Sequence, residues 1–175
     1  MRLQYSSAVL GCKHPTSKEM SNSASPYKGP TIDELMAVAR KAVASLCDIK
    51  VETVKEEDGE LLCLGDSSGI LISAMEDPPA LVFRTYLLDG VKESAAMYAL
   101  LNEINADIAI GQVYYYAQQK QIRYYYKYFA ENPSEDLVAY IITEMNDNAD
   151  MYDDRLQVRL GGERFTETSE DEVET

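Results

Sequence analysis

The side chain that most resembles a catalytic group is a serine in a short stretch bounded by glycines. Residues 65–69 read Gly-Asp-Ser-Ser-Gly, close to the Gly-Asp-Ser-Gly-Gly around the nucleophile of serine proteases. That chemistry requires a histidine to accept the hydroxyl proton and an acid to orient it. The only histidine, His14, lies in a loose stretch near the N-terminus. We therefore interpret residues 65–69 as a hairpin turn, and we predict no enzymatic activity.

A second candidate is the run of aspartates and asparagines in residues 146–154, which is rich enough in oxygen ligands to suggest a calcium loop. A calcium loop needs alternate oxygen ligands, a glycine at its bend and a final bidentate glutamate. The run has no glycine, and Met145, Ala149 and Tyr152 keep helical spacing through it. We therefore interpret it as the solvated face of a helix and predict no metal site.

The cysteines and glycines form no recognised ligand pattern. Cys12, Cys47 and Cys63 contain no Cys-x-x-Cys pair, so the sequence favours neither a zinc site nor a disulfide framework. Because Cys47 and Cys63 lie in apolar stretches, we expect both to be buried structural residues. No glycine-rich phosphate loop follows a predicted strand. We therefore predict no cofactor.

Tyrosine is the most unusual feature of the composition, because seven of the thirteen tyrosines fall between residues 114 and 128. Consecutive tyrosines in a strand must point to both faces of a sheet, since strand side chains alternate. Ordinary β-propensity and half-burial would explain them. Tyrosine is also enriched in protein interfaces. The sequence leaves both explanations open.

The apolar pattern predicts the elements that hold these residues. A helix starts where Thr31 and Glu34 form a capping box, and its apolar stripe continues to Leu46. Between residues 48 and 88 the pattern alternates and is broken by turn sequences at 57–59, 65–69 and 77–79. This predicts an antiparallel meander. Whether residues 48–55 form a separate strand stays open.

The second half of the chain contains two further helices and a second hairpin, and no internal repeat is visible. We predict a helix over residues 93–104 and a hairpin of residues 107–116 and 121–129. The last helix should begin with Asn132 as its cap and Pro133 in its first turn. The order is α-β-β-β-α-β-β-α. It predicts an α+β fold in which an antiparallel sheet of about five strands is covered by three helices, mainly on one face.

The length and the charge of the chain restrict its domain organisation and the classes of partner it can bind. The chain has 175 residues, 46% of them hydrophobic, and a formal charge of −14. Residues 1–30 carry +3 and residues 163–175 carry −5, which leaves −12 on the body. We predict a flexible segment over 1–30, one domain over 31–160 and an acidic disordered tail over 161–175. The acidity argues against nucleic-acid binding. No apolar run is long enough for a membrane span, and we expect a cytoplasmic protein.

A family resemblance rests on two stretches and the order of elements. Residues 100–105 read Leu-Leu-Asn-Glu-Ile-Asn, a tyrosine-rich hairpin follows, and residues 132–137 read Asn-Pro-Ser-Glu-Asp-Leu before a long helix. Over about residues 31–160 the chain resembles the YbjN family. That family shares a superfamily with small acidic chaperones of type III secretion and with actinobacterial peptide-binding-chaperone-like domains.

The resemblance implies a fold that is often a homodimer and that binds an extended segment of another protein. It carries no catalytic residues. It points to Asn102 and Asn105, whose expected role is to cap the second helix and shape the turn towards Asp107.

We therefore expect a peptide-binding or chaperone-like protein that captures a protein or peptide client along a sheet face or edge. The alternative is an acidic adaptor, regulator or immunity-type protein that binds a folded basic partner. An unrecognised enzyme would need a deep pocket with convergent carboxylates. The predicted client contacts are seven side chains of the sheet, namely Tyr114, Tyr116, Tyr125, Phe129, Ile70, Ile72 and Val82.

Overall fold

The computed structural model describes residues 29–129 and 131–164. The predicted flexible segment therefore lies almost entirely outside the described residues, as does most of the predicted acidic tail. The elements are α1 (Ile32–Leu46), β1 (Glu56–Glu57), β2 (Glu60–Leu64), β3 (Gly69–Glu76), β4 (Pro79–Leu88), α2 (Ala95–Asp107), β5 (Gln112–Tyr116), β6 (Gln121–Tyr128) and α3 (Glu135–Leu160).

The six strands form one antiparallel sheet in the order β1-β2-β3-β4-β6-β5. The predicted α+β class and element order are confirmed, with six strands instead of about five. The additional strand, β1, has two residues and joins β2 through Asp58 and Gly59, whose φ angles are 52° and 79°. Positive φ at both positions matches the tight turn that Asp-Gly sequences favour in hairpins.

Residues 48–55 do not form a strand, although Ile49 and Val51 alternate with polar residues. Asp48 has a φ of 50°, and residues Val51–Thr53 form a 3-10 turn. The Thr53 amide and hydroxyl both donate to the Lys50 carbonyl, at 2.9 and 2.6 Å. These local hydrogen bonds take the place of cross-strand pairing.

The core lies between the sheet and the three helices, on one face of the sheet. We call this side the covered face. Its strand residues are the alternate side chains Leu61 and Cys63 of β2, Ile70 and Ile72 of β3, Leu81 and Phe83 of β4, Ile122 and Tyr124 of β6 and Val113 of β5. The helices contribute Leu35, Ala39, Met97, Leu101, Ile142, Met145 and Leu156. Burial of this apolar surface is the main driving force for the fold.

The two predicted helix starts had different outcomes. The capping box is confirmed, because the Thr31 hydroxyl accepts from the Glu34 amide at 3.2 Å and the Glu34 carboxylate accepts from the Thr31 amide at 2.8 Å. The hydrogen bonds that the carboxylate accepts from the Thr31 amide and hydroxyl lower the pKa of Glu34. The prediction that Asn132 caps the last helix was wrong. Ser134 is the cap, since its side chain accepts from the Leu137 amide and its backbone is still extended.

The family-motif asparagines also differ from each other. Asn105 binds β5 through two hydrogen bonds, since its Nδ2 donates to the Val113 carbonyl at 2.8 Å and its Oδ1 accepts from the Val113 amide at 2.7 Å. Asn102 lies exposed in the middle of α2. The expected capping role is therefore wrong for Asn102, whereas Asn105 fixes the chain after the helix.

The boundary of the domain lies slightly beyond the predicted residue 160. Gly161, with a φ of 70°, ends α3. Glu163 then forms a two-way backbone bridge with Asp89, with N–O distances of 2.8 and 3.0 Å. Residues 161–164 therefore belong to the folded body.

Candidate functional site: the open face and free edge of the sheet

The second face of the sheet carries no helix among the described residues, and we call it the open face. Alternation along the strands places side chains there from each of the five longer strands. They are Leu62 and Leu64 of β2, Leu71 of β3, Val82, Arg84 and Tyr86 of β4, Arg123, Tyr125 and Lys127 of β6, and Tyr114 and Tyr116 of β5. This face is half aromatic and half aliphatic, with cationic side chains between.

The aromatic half is held by ring contacts and cation–π contacts. Tyr114 and Tyr125 meet edge to face, with ring centroids 6.4 Å apart. The Arg123 guanidinium carbon lies 4.1 Å from the centre of the Tyr116 ring, and the Lys127 ammonium lies 5.7 Å from that of Tyr125. All these side chains are half-buried. The rings are therefore ordered by their neighbours yet still present surface to solvent.

The aliphatic half reaches the edge of the sheet. Leu62 and Leu64 are 43% and 65% exposed, which is unusual for leucines in a strand. Arg84 forms an ion pair with Glu60 between the two halves. A depression of about 310 Å³ lies between Leu71, Arg84 and Arg123. The open face therefore has the charged side chains of Arg84, Glu60 and Arg123 between its aliphatic and aromatic residues.

The structure places four of the seven predicted contacts on the open face and a fifth directly after β6. Tyr114, Tyr116 and Tyr125 lie together on the open face. Phe129 follows β6 and is 53% exposed, whereas Val82 is on the open face but only 9% exposed. Contact between these residues and a client stays a prediction.

The prediction that Ile70 and Ile72 contact a client was wrong, because both side chains have no exposed surface and lie on the covered face. The intervening residue Leu71 is the one that reaches the open face. The prediction was wrong by one residue in register, and one residue in a strand reverses the face. Leu62, Leu64 and Leu71 were not predicted as contacts. The available signal was that residues 61–64 are apolar at every position, so both faces of β2 had to carry apolar groups.

The β2 strand also has a free edge. β1 pairs only with Glu60 and Leu61. The Gly65 amide donates to the Ser68 carbonyl at 2.8 Å, which sets the alternation of the β2–β3 ladder. By that alternation the backbone N–H and C=O groups of Leu62 and Leu64 point away from β3. No described strand pairs with them.

A groove of about 540 Å³ runs along this edge, and we call it the edge groove. Its apolar lining comes from α1, the following loop and the open face, namely Val43, Ile49, Val54, Leu62, Leu64 and Leu71. Its rim carries Lys55 together with Glu57, Asp58 and Glu60. An unpaired strand edge beside exposed leucines is a place where another chain can pair.

A second groove, of about 600 Å³, lies on the other side of the β1–β2 hairpin. It is lined by four acids, namely Asp33, Glu56, Asp58 and Glu60. Arg40 pairs with Glu56 and Arg84 with Glu60, so two of the four carboxylates are neutralised in ion pairs. The remaining charge gives the hairpin a negative field.

Ser67 has a structural role in the described part of the chain. Its amide and hydroxyl both donate to Asp150, at 3.0 and 2.8 Å, and its hydroxyl lies 2.7 Å from Asp153. These contacts tie the β2–β3 turn to α3. The interpretation as a turn agrees with this geometry.

The predicted solvated face of the last helix is wrong for Asp153, which is 1% exposed. Burial raises the pKa of this carboxyl, against the lowering effects of the Ser67 hydroxyl and the Asp154 amide. Within residues 29–129 and 131–164, no group of three His, Cys, Asp or Glu side chains is arranged to hold a metal ion. In the same part of the chain, no helix is long and apolar enough to cross a membrane.

Comparison with known families gives one match. The family of T3SS (YopN, CesT) and YbjN peptide-binding chaperone 1, called TY-Chap1, matches residues 33–168. No curated protein matches the chain. The family match covers most of the sequence, with all six strands and the three helices except for Ile32 at the start of α1. It confirms the resemblance to the YbjN and type III secretion chaperone family. The chain belongs to the TY-Chap1 family of peptide-binding chaperone domains.

Proposed function

We propose that this protein is a chaperone-like binder that captures an extended segment of a client protein on the open face and the free edge of its sheet. The client segment pairs with Leu62 and Leu64 as an additional strand. Its alternate side chains enter the edge groove, and the client chain beyond this strand crosses the open face towards the tyrosines of β5 and β6. No catalytic step is part of this function.

The observation that carries the proposal is the unprotected edge of β2. Edge strands are usually protected by charges, prolines, bulges or a covering element. Here Leu62 and Leu64 are exposed apolar side chains, and their outward backbone groups have no partner strand among the described residues. Strand addition uses such backbone groups for affinity and side-chain pockets for specificity.

Charge selects the client. Glu57, Asp58 and Glu60 surround the edge groove, and the body of the chain carries −12. A segment that alternates apolar with basic residues would place its apolar groups against the leucines and its basic groups near these acids. Complementary charge of this kind mainly accelerates association and excludes acidic competitors.

The test is fluorescence anisotropy with a labelled peptide of alternating valine and lysine. We expect saturable binding by this peptide and none by the matched peptide with glutamate in place of lysine. A proline at the central position of the lysine peptide should also prevent binding, because proline lacks the donor that strand pairing requires.

Matched variants locate the site. Leu64→Lys should weaken binding at least tenfold, since it places a charge on the exposed part of the edge groove. Tyr125→Ser should weaken it by a smaller factor. Tyr140→Ser is the control, because Tyr140 is 53% exposed but lies on α3. Equal binding by all three variants, or tolerance of the proline peptide, would contradict strand addition.

A folded basic partner is the second candidate function, and the acid-lined groove beside the β1–β2 hairpin favours it. The two candidates differ in salt dependence. Binding led by surface charge should be lost between 50 and 500 mM salt, because the Debye length falls below about 5 Å. Strand addition should retain most of its affinity. The homodimer and the cytoplasmic location stay predictions, and light scattering tests the former.

A further inference from the structure

Two cysteines of the described chain line the same cavity next to the edge groove. Cys47 is the exposed residue that ends α1, and Cys63 is the buried residue of β2, with 3% exposure. The expectation that both are buried was therefore wrong for Cys47. Both line one cavity of about 240 Å³, and Cys47 is near enough to Cys63 to contribute to the raised pKa of the Cys63 thiol. The Cys47 residue is therefore exposed to solvent, whereas Cys63 is buried beside the same cavity.

The chain between the two cysteines forms the wall of the edge groove. Residues 48–62 contain Ile49, Thr53, Val54 and Lys55, which line that groove, and the whole of β1. At its ends the segment is attached to α1 and to β2. Between Val51 and Glu57 it has only one 3-10 turn and a two-residue strand. A covalent link between Cys47 and Cys63 would therefore join the two ends of this wall.

We propose that Cys47 and Cys63 are a redox site, in which a peroxide oxidises the two thiols to a disulfide that closes residues 47–63 into a ring. The Cys47 sulfur attacks one oxygen of hydrogen peroxide, the O–O bond breaks, and one water leaves as a sulfenic acid forms. The Cys63 sulfur then attacks the Cys47 sulfur, and its proton leaves with the hydroxyl group as a second water. Two thiols lose two electrons and two protons, and the peroxide is reduced to two waters.

The environment assigns a different role to each sulfur. Cys47 is exposed and meets the oxidant first. Burial, followed by the neighbouring Cys47, raises the pKa of Cys63 to about 12, so Cys63 is a protonated thiol at neutral pH. Since the thiolate is the nucleophile, closure of the disulfide should be the slow step and should accelerate as pH rises from 7 to 9.

The experiment uses the full chain with Cys12→Ser, because Cys12 lies outside the described residues. After hydrogen peroxide treatment, intact mass should fall by two hydrogens, and peptide mapping should find Cys47 joined to Cys63. The melting temperature should rise by roughly 5–10 °C, as expected for a loop of about 15 residues. Hydrogen exchange of the backbone over residues 48–58 should slow.

The additional variant Cys47→Ser should show neither the mass change nor the higher melting temperature. It alters only an exposed side chain, so it keeps the test valid if a Cys63 variant does not fold. In reduced protein, maleimide should modify Cys47 and leave Cys63 unmodified until the chain is unfolded. Oxidation of Cys47 to a sulfinic acid with Cys63 still free, or disulfides only between chains, would overturn the proposal. None of these measurements depends on peptide binding.

Discussion

The covered and open faces of the sheet are made of the same strands yet differ in what their residues do. On β6, Tyr124 is 1% exposed and its hydroxyl donates to the Ile110 carbonyl at 2.7 Å. The next residue, Tyr125, faces solvent with a lysine over its ring. Two identical side chains, one residue apart, therefore contribute to different properties of the molecule. The residue type alone therefore does not determine the role of a tyrosine here. Its position in the strand decides whether the side chain packs in the core or lies on the open face.

The largest expected effect is on stability at the covered face. Tyr124→Ala should lower the free energy of unfolding by about 3–5 kcal/mol, because it leaves a cavity and an unpaired Ile110 carbonyl. Tyr125→Ala should lower it by less than about 1 kcal/mol. Urea titrations measure both. If the two variants lost equal stability, the distinction between the faces would be wrong.

An intermediate effect is expected at the two edges of the sheet. β5 is an edge strand whose start is bound by Asn105, whereas no strand in the described ranges pairs with the outward backbone groups of Leu62 and Leu64. Asn105→Ala should cost about 1–2 kcal/mol of stability, since it removes two hydrogen bonds to Val113. Asn102→Ala is the control and should change stability by less than about 0.5 kcal/mol. Unchanged stability in the first variant would mean that β5 does not need this anchor.

The smallest expected effect concerns the turn that joins β2 to β3. Burial raises the pKa of Asp153 above its ordinary 3.8, so the folded protein binds this proton more tightly than the unfolded chain does. The contribution of Asp153 to stability is therefore greatest in acid and is lost as pH rises from 3.8 through the folded pKa. Asp153→Asn does not titrate, and its side-chain oxygen can still accept from the Ser67 hydroxyl.

The stability of Asp153→Asn relative to the natural protein should accordingly increase between pH 3.5 and 7, measured by urea unfolding at each pH. Asp147→Asn is the matched control, because Asp147 is exposed on the same helix. Parallel curves for the natural protein and Asp153→Asn would show that folding does not change the pKa of this carboxyl, which would contradict the prediction.

Much of the fold was predictable, because many elements depend on interactions between residues close in sequence and no alternative local structure competes with them. The Thr31 and Glu34 capping box, the turns at residues 57–59 and 65–69, and the alternation of β6 all formed as predicted. Asn132 failed as a cap because Ser134 competed for the same role two residues later. Ile49 and Val51 alternate, yet the local hydrogen bonds of Thr53 turned that segment into a 3-10 turn.

The candidate site was only partly predictable, for a different physical reason. The sequence by itself determined the order of elements, the surplus of tyrosine around residues 114–128 and the acidity of the body, since these follow from composition and local spacing. Only the tertiary structure decided which face the helices cover, that Ile72 is core while Leu71 reaches the open face, and that no described strand pairs with β2 beyond Leu61. These properties depend on contacts between residues distant in the chain, and a strand that is apolar on both sides does not itself specify which side is buried.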